Sequence, residues 1–457
     1  MSLRRAILPI CLMLGACVPS LSTEVATRAA MTVETGSLPA MKTFSAPRPA
    51  APSQSNIDIA RDFLDLVFEM ESGRQLPVMS RFEGPIRVQV TGQPPAHLGL
   101  DLARLLHRFR TEAGIDIDMS RGEPAQITIQ AIPRSQIRKA LPQAACFVVP
   151  NITDISQYAL SRRTARTDWG RIEQRQQIAV FLPSDAAPQE VRDCLHEELA
   201  QALGPLNDLY RLPDSVYNDD NVHTVLTGYD MLVLRLIYSP ELRSGMTRGQ
   251  VADRLPALLA RLNPVGQSLA PMRLNPTPRP FINALQKALG PGSSPTERRA
   301  AAEAAINIAR VMGWQDHRRG FAHYAMGRLT QAADPMTAQQ HFQEADRFFA
   351  TTPGAELHLA YVASQLAAFS IAEGQGETAL RQIGPYLDIA ARHENAALLA
   401  TLMLLRAEAL DLTGRSGEAQ TVRLDSLGWA RYGFGADWAV RAKQREIASL
   451  SPLRGRS

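Results

Sequence analysis

In the first half of the chain, stretches with apolar residues at helical spacing alternate with short apolar runs of strand type. Residues 57–70 and 98–114 carry apolar side chains at helical spacing, and Gly114 is a suitable stop for the second stretch. Short alternating or continuous apolar runs of strand type are IRVQV (86–90), ITIQAI (127–132), CFVVP (146–150) and QIAVFLP (177–183). The alternation predicts an α+β domain over residues 56–254.

One further helix is predicted after the last of these strands. Pro188 suits the first helical position, and Glu190 lies in the first turn, where the helix dipole favours negative charge. The positions predicted to form its buried stripe are Val191, Leu195, Leu199 and Leu203.

From about residue 255 the pattern becomes alanine-rich and helical, without strand signals. Residues 255–290 include a proline-marked connector, and residues 291–452 form a predicted all-α domain. Segments 355–393 and 395–433 are similar at a spacing of about 40 residues. The coinciding pairs are Ala360 and Ala400, Ala367 and Ala407, Gly374 and Gly414, and Ala379 and Ala419. These helical pairs resemble tetratricopeptide repeats of greater length; the alternative is a non-repetitive helical bundle.

The first residues have the pattern of a bacterial secretion signal. Arg4 and Arg5 precede a short apolar run that ends in Leu14-Gly15-Ala16-Cys17, which resembles a lipobox. We expect residues 1–16 to be a signal peptide and Cys17 to carry a lipid. The alternative, an uncleaved membrane helix, conflicts with an apolar run far shorter than the ~20 residues that span a bilayer. Residues 17–55, rich in Ser, Thr, Ala and Pro, are a predicted flexible tether.

Charge and cysteine usage add two expectations. Lys and Arg number 49 against 45 Asp and Glu, without blocks of one sign, so nucleic acid is not an expected partner. Besides the cysteines of the signal region, the chain has Cys146 and Cys194. In an exported protein we expect these two to form a disulfide, and the alternative is two buried thiols.

The segment CLHEELAQALGPLND, residues 194–208, approaches the pattern of a zinc peptidase helix. Such a helix needs two histidines at positions i and i+4, yet Ala200 stands four residues after His196. A register shifted by one residue resembles the metzincin pattern. In that register Glu197, Gln201 and Asn207 occupy the three ligand positions, Glu198 the general-base position and Gly204 the turn.

The following segment strengthens this resemblance. Ser215 and Tyr217 occupy a Ser-x-Met turn with tyrosine in place of methionine, and His223 is the downstream imidazole that could approach the cleft. The chain also resembles a proteobacterial lipoprotein family of unknown function, over roughly residues 56–250, through EELxQxLGxxND and a later Gly-Met pair. The residues that carry this resemblance are Cys194, Glu197, Glu198, Leu199, Gln201, Leu203, Gly204, Asn207, Asp208, Gly245 and Met246. It implies export and a zincin-like fold, but no known activity.

The donor set argues against zinc hydrolysis. One carboxylate with two amides suits Zn²⁺ poorly and a hard cation such as Ca²⁺ better. We therefore expect no cofactor, with a bound metal ion as the less favoured alternative. Structural roles compete at each position: Glu198 as a core carboxylate bonded to Ser215 or Tyr217, His196 as a packed histidine, and Asn207 and Asp208 as helix-end caps.

These expectations favour a binding protein over an enzyme. We expect a scaffold anchored to the membrane through the Cys17 lipid and facing the periplasm, with the outer membrane favoured because Val18 is not the usual retention aspartate. A protein or peptide partner would bind the helical repeats, or add along a sheet edge. The alternative is a peptidase-like hydrolase, metal-dependent or glutamate-based, that uses Glu198 as general base.

Overall fold

The computed structural model describes residues 38–45 and 50–453. The predicted signal peptide and Cys17 lie outside the described residues, as does much of the predicted tether. Within the described part of the chain, no helix is long and apolar enough to cross a membrane.

An α/β domain comes first in the chain. Its strands are β1 (Ile86–Gly92), β2 (Ile117–Met119), β3 (Ile127–Ile132), β4 (Phe147–Pro150) and β5 (Ile178–Pro183). The helices of this part are α1 (Asn56–Phe68), α2 (Leu98–Glu112), α3 (Arg134–Ala140), α4 (Ile155–Ser161), α5 (Pro188–Leu203), α6 (Gly228–Ile237), α7 (Arg248–Ala252) and α8 (Leu255–Leu262). Short 3₁₀ turns are Ala165–Thr167, Trp169–Arg171 and Pro264–Gln267.

The remaining chain is helical. Its helices are α9 (Arg279–Leu289), α10 (Pro295–Val311), α11 (His317–Thr330), α12 (Pro335–Ala350), α13 (Glu356–Ala372), α14 (Gly376–Ile383), α15 (Tyr386–Arg392), α16 (Ala396–Leu412), α17 (Ser416–Phe434) and α18 (Asp437–Ala448). The predicted order of a domain with helices and strands followed by a helical region is therefore confirmed, and the first domain is an α/β sheet domain.

The five strands form one sheet in the order β2-β1-β3-β5-β4. All neighbouring strands run parallel except β4, which is antiparallel to β5 and lies at one edge. Strand β5, which lies between β3 and β4, is buried along its whole length, as its continuous apolar run predicts. The predicted strands are confirmed, whereas β2 was not predicted because its three residues are too few to show a period.

Helix α5 packs beside this sheet as its sequence pattern requires. It begins at Pro188, and the predicted stripe of Val191, Leu195, Leu199 and Leu203 is fully buried. A disulfide joins Cys194 in α5 to Cys146, the residue before β4. The predicted pairing is thus confirmed, and it links α5 directly to the antiparallel edge strand.

The internal similarity of the helical region reappears in its geometry. Helices α13 and α16 begin 40 residues apart, at Glu356 and Ala396, and both span 17 residues. The turns that follow them contain Gly374 and Gly414, with φ angles of 76° and 78°. Glycine tolerates this left-handed conformation, which other residues adopt at a cost. The second helix of the earlier pair is divided into α14 and α15 by the Gly-Pro pair at 384–385.

The N-terminal ends of α11, α13 and α16 face the α/β domain. His317 Nε2 lies 2.7 Å from the carbonyl oxygen of Tyr210, and His358 Nε2 lies 2.8 Å from a carboxylate oxygen of Asp220. The described residues from Pro39 onward belong to one compact unit. Residues 255–290, interpreted as a connector from the sequence, contain both α8 and α9.

Candidate functional site

The three proposed ligand positions differ in their surroundings. Asn207 is occupied in local hydrogen bonds: its Nδ2 donates to the carbonyl of Asp65 at 3.0 Å, and its Oδ1 accepts from the Asp208 amide at 3.0 Å. Gln201 is buried in α5, whereas Glu197 is half-buried. The Asn207 amide therefore ties the chain after α5 to α1 and does not cap the end of α5, which is at Gly204.

Ser215 and Tyr217 form a turn that does not contact Glu198 by hydrogen bonds. Ser215 Oγ donates to Asp230 at 2.5 Å and accepts from the Tyr217 amide at 3.0 Å. The Tyr217 hydroxyl is buried and has no hydrogen-bond partner among the described residues. The expected bond from Glu198 to Ser215 or Tyr217 is thus wrong, because Asp230 at the start of α6 takes the serine hydroxyl.

Glu198 instead belongs to a group of five interacting carboxyl groups, which we name the acidic cluster. Its members are Glu71, Glu197, Glu198, Asp208 and Asp219. The Glu198 side chain is only 4% exposed, and within the described chain its Oε2 has no hydrogen-bond partner. Burial, followed by the charges of Glu197 and Glu71, raises the pKa of Glu198 well above its ordinary value.

The neighbouring carboxyl groups are shifted in the same direction. Burial and the charges of Glu71 and Asp219 raise the pKa of Glu197 to about 7. Burial and the charges of Glu71 and Glu197 raise the pKa of Asp208 well above its ordinary value. Glu198 and Asp208 therefore keep their protons to a higher pH than ordinary carboxyl groups do, which favours Glu198 as a proton donor over Glu198 as a general base.

A pocket of about 300 Å³ opens beside the acidic cluster. Its wall includes Glu71, Asp208, Tyr210 and Arg279, the last of which begins α9. The Tyr210 hydroxyl donates to a carboxylate oxygen of Asp219 at 3.1 Å. The side chains of Glu71, Asp208, Tyr210 and Arg279 therefore line a pocket next to the acidic cluster.

The end of α5 depends on two residues with different roles. Gly204 ends the helix, and a Cβ at this position would lie 2.3 Å from Ile237 Cδ1, so a larger residue would displace the Ile237 side chain of α6. Arg175 is buried and donates to the carbonyls of Gln201 and Gly204, which satisfies the exposed end of the helix. Burial lowers the pKa of Arg175 to about 10.

His196 and His223 contact residues outside the acidic cluster. His196 is buried, and its Nδ1 accepts from the Leu226 amide at 3.2 Å, as expected of a packed histidine. His223 faces Asp214 and the ring of His393, whose centroid is 5.0 Å away in an edge-on arrangement. Burial and the neighbouring imidazoles hold the pKa of His223 well below its ordinary value.

Alternate backbone groups of the edge strand β4 point away from the sheet. The Asn151 amide donates to the Gln177 carbonyl, so residues 151, 149 and 147 face β5. The alternate residue, Val148, therefore directs its N–H and C=O away from the sheet. Pro150, which has no N–H, also faces outward, the position in which an edge strand tolerates proline.

Sequence reasoning placed Glu197, Glu198 and Asp208 in one candidate site, and the structure brings these three together. It missed Glu71 and Asp219 in the acidic cluster. It also missed Asp214 and His393 beside His223. These residues come from separate loops and turns, and no local motif marks them.

These features define the class of protein: an α/β domain with a mixed five-stranded sheet, a disulfide-linked acidic helix, and a helical C-terminal region. Residues 56–257 match the family described as "Protein of unknown function (DUF2927)". This part of the chain therefore fits a family of unknown function. Neither the curated proteins nor the solved structures include a match to the chain.

Proposed function

We propose that this chain is a lipid-anchored protein of the cell envelope that binds an extended polypeptide without cleaving it through zinc. The single observation that carries the proposal is the outward-facing backbone of β4, next to helix α5, whose proposed ligand positions carry no imidazole. The lipid on Cys17 and the periplasmic, preferably outer-membrane, location belong to the same proposal and rest on the N-terminal sequence.

Loss of zinc chemistry is supported by the surroundings of α5. The ligand positions carry a carboxylate and two amides, and the Asn207 amide is already hydrogen-bonded to the chain. Zn²⁺ prefers imidazole and thiolate donors. His196, the imidazole in α5, is buried and bonded to the Leu226 amide.

Binding along β4 is supported by strand geometry. Val148 offers one donor and one acceptor to an added strand, and such main-chain bonds give affinity without demanding a fixed sequence. The disulfide at Cys146 fixes this edge against α5, which lowers the conformational cost of pairing. The tetratricopeptide-like helical region is the other surface on which a protein partner would bind.

Photo-crosslinking in cells distinguishes these two surfaces. A photoreactive residue replaces either the exposed Ala145, which leads into β4, or Leu424, which is 54% exposed on α17. We expect a crosslinked polypeptide from position 145 and none from position 424. Val148→Pro, which removes the outward N–H, should abolish the crosslink at 145. Crosslinking from 424 alone would assign binding to the helical region, and persistence at 145 in V148P would contradict strand addition.

The acidic cluster supports a second candidate function, a carboxyl-based hydrolase. A buried Glu198 with a raised pKa, beside other carboxyl groups, is an arrangement that acid–base catalysis uses. Mass spectrometry of a peptide library incubated with the chain tests this candidate. Cleavage that is lost in Glu198→Gln, with unchanged folding by circular dichroism, would establish it; equal cleavage by both proteins, or none, would remove it.

A further inference from the structure

A second group of side chains lies where the loop between α5 and α6 meets the helical region. Asp214 and His223 come from that loop, and His393 comes from the turn between α15 and α16. One donor atom of each residue lies within 4.8 Å of the donors of the other two. No member of this group belongs to the acidic cluster.

His223 lacks the partners that a buried imidazole normally has. His223 is 4% exposed, and in the described part of the chain neither ring nitrogen has a hydrogen bond of good geometry; the backbone of Pro213 is a weaker polar contact. The Asp214 Oδ1 is also unpartnered, at 3.6 Å from His223 Nδ1. Burying polar atoms without partners is costly, so this arrangement calls for a ligand that satisfies them together.

The distances suit a small cation. Donor atoms bound to one tetrahedral Zn²⁺ lie about 3.3 Å apart, so small side-chain rotations would close the observed group around an ion. Two imidazoles and one carboxylate are donors that Zn²⁺ accepts readily. The exposed Glu356, at the start of α13, interacts electrostatically with both Asp214 and His393 and so adds negative charge beside the group.

We propose that Asp214, His223 and His393 bind one Zn²⁺ ion, which fastens the helical region to the loop that follows α5. The ion would supply the partner that the His223 ring nitrogen lacks. It would also join two parts of the chain that are distant in sequence. This site is separate from β4 and from the acidic cluster. Neither success nor failure of the zinc test therefore bears on the proposed polypeptide binding.

Metal titration of the untagged full chain tests the site. After removal of metal with a chelator, Zn²⁺ is added and measured by calorimetry and by elemental mass spectrometry. We expect one Zn²⁺ per chain and an affinity at least tenfold lower in His393→Ala and in Asp214→Asn. Zinc at one hundred times its Kd should raise the Tm of the wild-type chain by about 3 °C.

Two control variants make the outcome specific. His107→Ala removes an exposed histidine on α2, and Glu198→Gln alters the acidic cluster, so both should bind zinc as the wild-type chain does. His393 is only half-buried, so its replacement should not prevent folding. Absence of saturable binding, unchanged affinity in H393A and D214N, or loss of zinc in E198Q would each overturn the proposal.

Discussion

The Glu198 carboxyl group illustrates how one buried residue makes stability depend on pH. Its folded-state pKa is well above the ordinary value of 4.5, which the unfolded chain retains. Between pH 4.5 and the folded-state pKa, the folded chain therefore holds this proton while the unfolded chain releases it. The associated stability is complete below pH 4.5 and is lost as the pH rises toward the folded-state pKa.

Glu198→Gln should remove this dependence. Glutamine has nearly the same shape and no charge, so we expect little change in the free energy of unfolding at pH 5. At pH 8 the variant should be more stable than the wild-type chain by about 1 kcal/mol or more, since one pKa unit corresponds to ~1.4 kcal/mol. Urea denaturation at both pH values measures the difference. Glu303→Gln, an exposed change on α10, is the control; equal destabilisation of E198Q at both pH values would contradict the argument.

Residues of the acidic cluster differ in how far sequence could predict them. Glu197, Glu198 and Asp208 lie within one short motif, where helix geometry and the following turn limit their separation. Glu71 and Asp219 join them only because the loop after α1 and the loop before α6 pack at the same place. That contact depends on tertiary packing, for which a single sequence carries no signal.

Helices and strands were more predictable than the tertiary contacts between them, because burial of one face imposes a period on the sequence of each helix and strand. The continuous apolar run of β5 and the four-residue spacing in α5 follow from the neighbours that they cover. The antiparallel direction of β4 did not follow from its sequence, since an apolar run of four residues is compatible with either direction. The pairing of Cys146 with Cys194 was predicted from the export signal and is consistent with either direction.

The equivalent turns after α13 and α16 give a prediction at the scale of elements. Gly374 and Gly414 both adopt left-handed backbone angles, and a Cβ would meet at most a distant contact at either position. Alanine at either site should therefore lower the free energy of unfolding by a similar amount, about 1–2 kcal/mol, from backbone strain alone. Urea denaturation of each variant measures the loss.

Gly417→Ala supplies the matched control for these turns. Gly417 lies within α17, without a positive φ angle and with open space around its Cβ position. Alanine there should leave stability unchanged or slightly higher, because glycine is the poorer helix former. Clearly unequal losses at 374 and 414 would argue for a non-repetitive bundle in which the two turns are not equivalent.

At the scale of the whole molecule, buried polar contacts join the α/β domain to the helical region. The Tyr432 hydroxyl donates to Asp101 at 3.0 Å, and Gln189 Nε2 donates to Asn395 at 3.1 Å. Buried hydrogen bonds of this kind restrict how two surfaces can pack, because displaced partners remain unsatisfied. A composition change and a proline-marked segment mark two parts in the sequence, and from these contacts we expect the two parts to fold interdependently.

Arg192 contacts both sides of this junction. It is buried, it pairs with Asp193 at 2.6 Å, and its Nη1 donates to the Glu394 carbonyl at 2.7 Å. Arg192→Met would leave the Asp193 carboxylate without its cation, so we expect a loss of about 3–5 kcal/mol. Since the residue joins both parts, α/β and helical signals should weaken together.

Urea denaturation monitored by hydrogen exchange measures that coupling. We expect one transition for the wild-type chain, and one transition at lower urea for R192M, with amides of β5 and α16 losing protection together. Arg392→Met, which breaks an exposed ion pair with Asp388, should change stability by less than about 1 kcal/mol. If R192M instead exposes α16 while β5 keeps wild-type protection, the helical region unfolds independently and the junction does not couple the two parts.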